Sequence, residues 1–285
     1  MTSARVSIAA FWDAHTTTWL DGEDPLPEPL ADWFDSYAGA GAGAVTRDGL
    51  AEPYHGDLLG KPRMVVLGLN PGRFQRKFQA RDGLFAAEIR RYGSYREWAA
   101  TFPYNRDPWT ATMGPNRYYR ARLRFTRNWL GDPKAAEPDL LIFECYPWHS
   151  TSLTAPLRPP REAIEKYVWQ PIAELPVEQV FAFGKPWHDL AQALDLPLEA
   201  ELGAGGSKYG SKVRSRAVRV YRLPSGQSLV VEWHSGSAGP PSAKETVLLR
   251  SALTGGAPTE VVAPDPESSV NGPEPESDAT DGLST

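Results

Sequence analysis

Short apolar runs alternate along the chain with segments whose apolar residues recur at helical spacing. Four runs rich in branched aliphatic and aromatic residues predict buried strands: residues 61–68, 139–143, 179–184 and 229–233. Three segments between them predict helices: residues 116–130, 161–175 and 186–194. Strands that alternate with helices form a mostly parallel sheet covered on both faces. The pattern therefore predicts a three-layer α/β/α fold with a central, mostly parallel four-stranded sheet.

Further patterns extend this core toward both ends of the chain. Apolar residues near a helical period predict a helix over residues 4–20 and a shorter one over residues 30–37. Residues 218–223 and 229–233 flank a turn-forming segment, which predicts a hairpin. Ser242 and Glu245 have the spacing of a capping box, so we expect a last helix from there to residue 253.

The C-terminal segment differs in composition from the rest. From residue 255 onward the chain has seven acidic residues, five prolines and no Lys or Arg, which predicts a disordered tail. We therefore divide the chain into an N-terminal helical extension, an α/β domain and an acidic tail: residues 1–60, 61–254 and 255–285.

The net charge of −5 at pH 7 is the sum of segments with opposite charge. Without the seven acids of the tail, the remainder carries +2. Residues 1–62 have ten acids and three bases, whereas residues 73–127 have thirteen bases and four acids. An acidic and a basic surface are expected, and the net charge does not exclude a nucleic-acid partner.

The low number of cysteines excludes several kinds of disulfide and metal site. A single Cys145 cannot form a disulfide framework, a four-cysteine zinc site or an iron–sulfur cluster. We expect neither a metal nor another cofactor. Two alternatives remain open: a thiol nucleophile formed by Cys145 with His149, and a metal site formed by Glu144, His149, His188 and His234.

The apolar runs are far shorter than the ~20 residues that span a bilayer, and the N-terminus lacks a secretory apolar segment. We expect a cytoplasmic monomer with no membrane contact.

The segment after the first predicted strand carries the strongest signal. Ligand sites in such sheets lie at the carboxyl ends of the strands, where Gly68-Leu-Asn-Pro-Gly stands. The glycines permit close approach of a ligand, and Pro71 restricts Asn70 to an extended conformation. The Asn70 carboxamide is thus placed to position a water. A plain strand-to-helix turn is the alternative, because Asn, Pro and Gly are common turn residues.

This segment resembles the first active-site motif of the uracil-DNA glycosylase superfamily, whose mismatch-specific uracil/thymine branch has Gly-Ile-Asn-Pro-Gly. The second motif of that family follows the last strand and begins with His or Asn before a run of small residues. Here His234-Ser-Gly-Ser stands in that place, about 160 residues after Asn70. The resemblance covers residues 62–253 and implies that fold for most of the chain.

The resemblance also implies a reaction and roles for individual residues. Such enzymes flip a damaged base out of DNA and hydrolyse its N-glycosidic bond without a metal. Asn70 would hold the attacking water, and His234 would donate a hydrogen bond to O2 of the leaving base. The remaining residues implied to surround the substrate are Gly68, Leu69, Pro71, Gly72, Phe74, Phe78, Glu144, Tyr146 and Ser235. Phe74 or Phe78 would supply the aromatic face for the base, although either side chain could equally belong to the core of the following helix.

Two departures from the family pattern affect specificity. Glu144 stands where the family often has an Asn that reads the edge of uracil, and an ionised carboxylate cannot donate to the O4 acceptor. Glu144 would pair with an amino group or be protonated. The second motif also lacks a Pro directly after His234 and the Leu that usually wedges into the duplex, for which Pro240 and Pro241 are substitutes.

Basic residues near both motifs suit phosphate contacts. We assign this role to Arg73, Lys208, Lys212, Arg214 and Arg216. A solvated basic hairpin is the alternative for residues 203–222. The expected partner is DNA, with RNA or single-stranded nucleic acid left open. A noncatalytic nucleic-acid-binding protein and an unrelated hydrolase of small molecules are the competing functions.

Overall fold

The computed structural model describes residues 3–23, 26–202, 216–234 and 239–254. These residues form an α/β fold around one mixed sheet of seven strands. The strands are β1 (Tyr54–His55), β2 (Met64–Gly68), β3 (Leu140–Glu144), β4 (Gln179–Phe183), β5 (Leu198–Leu202), β6 (Ala217–Arg222) and β7 (Ser228–Trp233).

The helices lie mainly before β3 and between the parallel strands. They are α1 (Ala4–Leu20), α2 (Leu30–Asp35), α3 (Arg76–Gln79), α4 (Leu84–Tyr92), α5 (Tyr95–Ala99), α6 (Trp109–Met113), α7 (Arg117–Leu130), α8 (Arg161–Ile164), α9 (Gln170–Ala173), α10 (Lys185–Ala193) and α11 (Ala243–Thr254). A π-helical turn, Glu165–Trp169, joins α8 to α9, so the helix predicted over residues 161–175 is not regular throughout.

The strand order is β1-β3-β2-β4-β7-β6-β5. The four strands β3, β2, β4 and β7 are joined by parallel pairing. Antiparallel strands flank them, with β1 beside β3, and β6 and β5 beyond β7. The predicted hairpin is confirmed as β6 and β7. The predicted four-stranded sheet is too small because it omits three antiparallel strands: β6, which the hairpin supplies, and β1 and β5, which were not predicted.

The two unpredicted edge strands have no apolar run that could signal them. β1 is two residues long. β5 places Glu199 and Glu201 on an exposed edge, where Arg222 and Arg219 form ion pairs with them. Edge strands with charged side chains resist further pairing, and for the same reason they lack the sequence pattern of a buried strand.

The sheet is buried on both faces. Every residue of β2 and β3 is buried, so covering structure is needed on each side. On one face, Phe125 of α7 packs against Phe181 and Phe183 of β4. Helix α11 lies beside α7, where Arg250 donates to the carbonyl of Trp129 at 3.0 Å. Its first turn has the predicted capping box, since the Ser242 and Glu245 side chains each accept the backbone N–H of the other.

The first 60 residues pack closely against the sheet domain. Helix α1 begins and ends where predicted, and its Trp12 is fully buried against Tyr167. Trp33 of α2 donates to the carbonyl of Cys145 at 3.1 Å, directly after β3. Because β1 also belongs to this segment, the N-terminal region contributes both a strand and core side chains.

No helix among the described residues is long and apolar enough to cross a membrane. The predicted disordered tail, residues 255–285, lies outside the residues that the structure describes.

Candidate active site

Asn70 and His234 lie at the same edge of the sheet. Leu67 is level with Ala182 across β2 and β4, and Ala182 is level with Val231 across β4 and β7. Asn70 comes three residues after Leu67, and His234 comes three residues after Val231. Since only β4 separates β2 from β7, the strand spacing places Leu67 and Val231 about 10 Å apart, and Asn70 and His234 follow at the same end of their strands. The sheet thus brings both predicted catalytic residues to one side of the molecule.

The segment after β2 requires glycine at two positions for different reasons. A Cβ atom on Gly68 would collide with the Tyr118 hydroxyl and the Glu144 carboxylate. The Gly68 carbonyl accepts a hydrogen bond from Trp187 Nε1 at 3.0 Å, which fixes the end of the strand. Gly72 has φ +83°, in the left-handed region that favours glycine. Glycine is therefore required at position 68 because no side chain fits there, and is favoured at position 72 by the backbone conformation.

The side-chain amide of Asn70 is fixed by Ser150. Asn70 Nδ2 lies 3.2 Å from the Ser150 carbonyl oxygen and 2.9 Å from Ser150 Oγ. A carbonyl oxygen only accepts hydrogen bonds, so the amide nitrogen must face it. The Ser150 hydroxyl donates to the carbonyl of Ser152 at 3.1 Å, which leaves its oxygen to accept from Asn70. Asn70 Oδ1 makes no hydrogen bond with the described residues, so it can accept one from a water.

A buried carboxylate, Glu52, supports the same loop through His149. Glu52 Oε1 lies 3.2 Å from His149 Nε2, and Glu52 Oε2 lies 2.9 Å from His55 Nε2. The Tyr104 hydroxyl donates to the two carboxylate oxygens at 2.7 and 2.8 Å. Burial raises the pKa of Glu52, but the two imidazoles outweigh it and lower the pKa to about 2. His149 Nδ1 lies 3.2 Å from the Gly72 carbonyl, so this network reaches the loop after β2.

Glu144, the last residue of β3, has one carboxylate oxygen without a hydrogen-bond partner. The Tyr118 hydroxyl donates to Oε1 at 2.6 Å, whereas the buried Oε2 has no partner among the described residues. Burial raises the pKa of Glu144 to about 7, against the opposing effects of the Tyr118 hydrogen bond and the Arg122 charge. Near neutral pH this carboxyl group exists in both protonated and ionised forms.

Arg216 has a structural role that differs from the expected phosphate contact. Its side chain is buried, with the guanidinium 3.1 Å from Glu232 Oε1 and 3.3 Å from Glu245 Oε2. It also donates to the carbonyls of Gly239 and Pro240, at 3.1 and 3.3 Å. The assignment of Arg216 to a nucleic-acid surface is corrected, because two carboxylates and two carbonyls occupy its guanidinium inside the protein.

His234 directly follows β7 and is half-buried. The preceding Trp233 stacks on His188, with ring centroids 4.8 Å apart. The Arg219 guanidinium lies 5.6 Å from the centre of the Trp233 ring. This end of the site is positioned from two sides. His188 and Arg219 contact Trp233 before it, and Arg216 binds the carbonyls of Gly239 and Pro240 after it.

Of the aromatic candidates, Phe74 lies beside the site and the others belong to the core. The Phe74 ring is 6.1 Å from the His149 ring, and its side chain is half-buried. Phe78 is 1% exposed and packs against Phe85. Tyr146 is also 1% exposed, and its hydroxyl donates to a backbone carbonyl of α2 at 2.8 Å. The expected substrate contacts of Phe78 and Tyr146 are corrected, because both rings are enclosed by other side chains.

The remaining candidates divide by location. Arg73 is exposed next to the loop, and Leu69 and Pro71 are half-buried within it. Four candidates lie outside the described residues: Lys208, Lys212, Arg214 and Ser235. Cys145 is buried, and burial raises the pKa of its thiol. Within the described ranges, no group of three or more His, Cys, Asp or Glu is arranged to hold a metal ion.

Two residues that organise the site were not found from the sequence. Ser150 lies six residues after the end of β3, but nothing in the sequence pairs it with Asn70, 80 residues earlier. Glu52 belongs to an acidic region whose members are expected on the surface. Its burial depends on His55 and His149, which are brought to it by β1 and by the loop after β3.

Comparisons of the chain with protein-family models, with characterised proteins and with solved structures found no match.

Proposed function

We propose that this protein is a DNA glycosylase that removes uracil or a related damaged or mismatched base. The observation that carries the proposal is the fixed amide of Asn70. Both of its N–H groups are directed at Ser150, so Oδ1 is presented at the carboxyl edge of the sheet. A hydrolytic water held there would face a sugar bound between Asn70 and His234. The parallel pairing of β3, β2, β4 and β7, together with the motif at residues 68–72, supports a fold of the uracil-DNA glycosylase type.

In the proposed reaction, the bond between C1′ of the sugar and the base nitrogen breaks, and its electron pair leaves with the base. The water on Asn70 Oδ1 forms the new bond to C1′, and its proton passes to solvent. His234 donates a hydrogen bond to O2 of the base as negative charge develops there. An amide does not take up a proton near neutral pH, so Asn70 orients the water rather than deprotonating it. A slow enzyme is expected.

Glu144 is the proposed determinant of base preference, and because its carboxyl group is fully buried it reaches a base only when Gly68 and Tyr118 move aside. Its Oε2 is buried at the end of β3, without a partner, beside Gly68 of the loop. In its protonated form the carboxyl group can donate to a keto oxygen such as O4 of uracil. In its ionised form it accepts from an amino group instead. The balance between these forms links base preference to pH.

The test uses duplex oligonucleotides that each contain one uracil, one deaminated purine or one G·T mismatch, with single-stranded DNA and RNA versions alongside. Free base is detected by mass spectrometry, and the abasic site by alkaline strand cleavage. We expect release from at least one substrate by the wild-type protein and none above background by Asn70→Ala. Binding of these duplexes without release of any base would overturn the proposed activity.

A noncatalytic nucleic-acid-binding protein is the second candidate. The observation in its favour is Glu144, which replaces the amide expected for reading uracil. It predicts binding that weakens with salt, no base release and no effect of Asn70→Ala on affinity.

A further inference from the structure

Helix α7 carries a row of exposed arginines that has no function inside the protein. We define the α7 stripe as Arg117, Arg120 and Arg124, all of which are exposed. With 3.6 residues per turn, their positions fall within about 60° of each other around the helix axis. The rise of 1.5 Å per residue places the first and last about 10 Å apart. The stripe is one continuous cationic edge.

No side chain among the described residues neutralises the stripe. Several other exposed arginines have carboxylate partners, as Arg63 has in Asp132 and Arg161 has in Glu165. The three arginines of the stripe have no ion pair or side-chain hydrogen bond with a described residue. With respect to the residues that the structure describes, their guanidinium donors are therefore available to an external anion.

The position of the stripe is unfavourable for the isolated helix. The N-terminus of a helix has a partial positive charge, which favours acidic residues in the first turn. Helices α5, α8 and α11 have an acid there, namely Glu97, Glu162 and Glu245, whereas α1, α4 and α10 have none. The first turn of α7 has no acid and contains Arg117 and Arg120. Like charges three and four residues apart repel one another as well. Neither the helix dipole nor contacts among the three side chains stabilise this arrangement, and a bound anion would offset both repulsions.

The stripe begins next to the candidate active site. Tyr118, in the first turn of α7, donates to Glu144 at the end of β3. Asn116 caps the helix by accepting the backbone N–H groups of Tyr118 and Tyr119, so this end of the helix is well anchored. A strand of nucleic acid with one nucleotide at Asn70 would extend from that edge along α7.

We infer that the α7 stripe binds the phosphodiester backbone of the nucleic-acid strand that flanks the target base. This inference rests on the proposed function in taking the anion to be a nucleic-acid backbone. Arginines spaced along one helix edge suit successive phosphates because guanidinium groups form paired hydrogen bonds with phosphate oxygens. Phosphate contacts carry no sequence information, so the stripe contributes affinity and register rather than base choice.

The experiment measures the affinity of the full-length protein for an undamaged duplex of 20 base pairs as a function of salt. Each phosphate contact contributes about −0.9 to the slope of log K against log salt concentration. Replacing all three arginines of the stripe with Gln should reduce the magnitude of that slope by about 2 to 3. The matched control replaces three exposed arginines that have acidic partners: Arg63, Arg161 and Arg222. The control removes the same charge and should change the slope by less than about 1.

A second measurement separates binding from folding. The stripe variant should melt at the same temperature as the wild type or higher, because it loses only repulsive contacts, while its duplex affinity falls. Equal slopes in the wild type and the stripe variant would overturn the inference. So would equal losses in the stripe and control variants, or a loss of binding to phosphatidylserine vesicles alone.

The outcomes also distinguish this inference from the proposed activity. A changed salt slope without base release would support phosphate binding by the α7 stripe and contradict base excision. Base release with an unchanged slope would support base excision and contradict phosphate binding by the stripe.

Discussion

Glu144 should make the protein less stable as the pH rises, and Glu144→Gln should remove that dependence. Burial raises the pKa of Glu144 from an ordinary value of 4.5 to about 7 in the folded protein. Between these pH values the unfolded chain loses the proton and the folded protein keeps it. The folded state therefore binds more protons, and the free energy of unfolding falls as the pH rises.

The size of the effect follows from the two pKa values. One pKa unit corresponds to about 1.4 kcal/mol, so ionising Glu144 in the folded protein costs about 3 kcal/mol by pH 8. Gln keeps an oxygen to accept from Tyr118 and cannot ionise. Any cost of its amide group is independent of pH and cancels when the same variant is compared at two pH values.

The assay is urea unfolding at pH 5, 6, 7 and 8, followed by fluorescence of the ten tryptophans. Relative to Glu144→Gln, the wild type should lose about 2 to 3 kcal/mol between pH 5 and 8. Glu232, whose pKa burial raises to about 8 against the charge of Arg216, contributes equally to both proteins. Glu178→Gln, at an exposed position, controls for the loss of one surface charge. A difference between wild type and Glu144→Gln that stays constant from pH 5 to 8 would refute the reasoning.

Three further variants test the contacts around the loop after β2. Ser150→Ala removes one of two acceptors for Asn70 Nδ2 and should slow single-turnover base release roughly fivefold, as expected for ~1 kcal/mol, without weakening DNA binding. Glu52→Gln removes a buried carboxylate that contacts His55, His149 and Tyr104, and should cost about 1 to 3 kcal/mol in urea unfolding because the amide leaves some of these groups unpaired; wild-type stability would contradict the network. Gly68→Ala should cost about 1 to 3 kcal/mol through contact with Tyr118 and Glu144, and adding Tyr118→Phe should recover part of the loss in thermal unfolding.

The central strands could be predicted because each one is a short apolar run. Glycines help to mark the ends of two of them, since β2 ends at Gly68 and Gly184 directly follows β4, and every residue of β2 is buried. The exposed edge strand β5 has no such signal, because Glu199 and Glu201 interrupt it and its ordering depends on arginines of the neighbouring strand. A buried strand has a recognisable run of apolar residues, whereas an exposed edge strand has no comparable pattern in the sequence.

The site could be located from the sequence but not assembled. Pro71 restricts the backbone of Asn70, which marks the residue as a candidate, yet the direction of its amide depends on Ser150. The basic segment around Arg216 predicts a phosphate ligand. Arg216 is buried instead, since Glu232 and Glu245 converge on it from a strand and a helix that are distant in sequence. Charge and motif indicate which residues can react, and tertiary contacts decide which of them are free to do so.

The most direct test of the account is single-turnover release of free uracil from a duplex with one uracil, compared between the wild type and Asn70→Ala. If Asn70 Oδ1 holds the attacking water, the wild type should release uracil. The variant should bind the duplex equally well and release uracil about 100-fold or more slowly, as expected for the loss of one preorganised catalytic contact. Equal rates in the two proteins, or no release by a folded wild type that binds the duplex, would contradict the account.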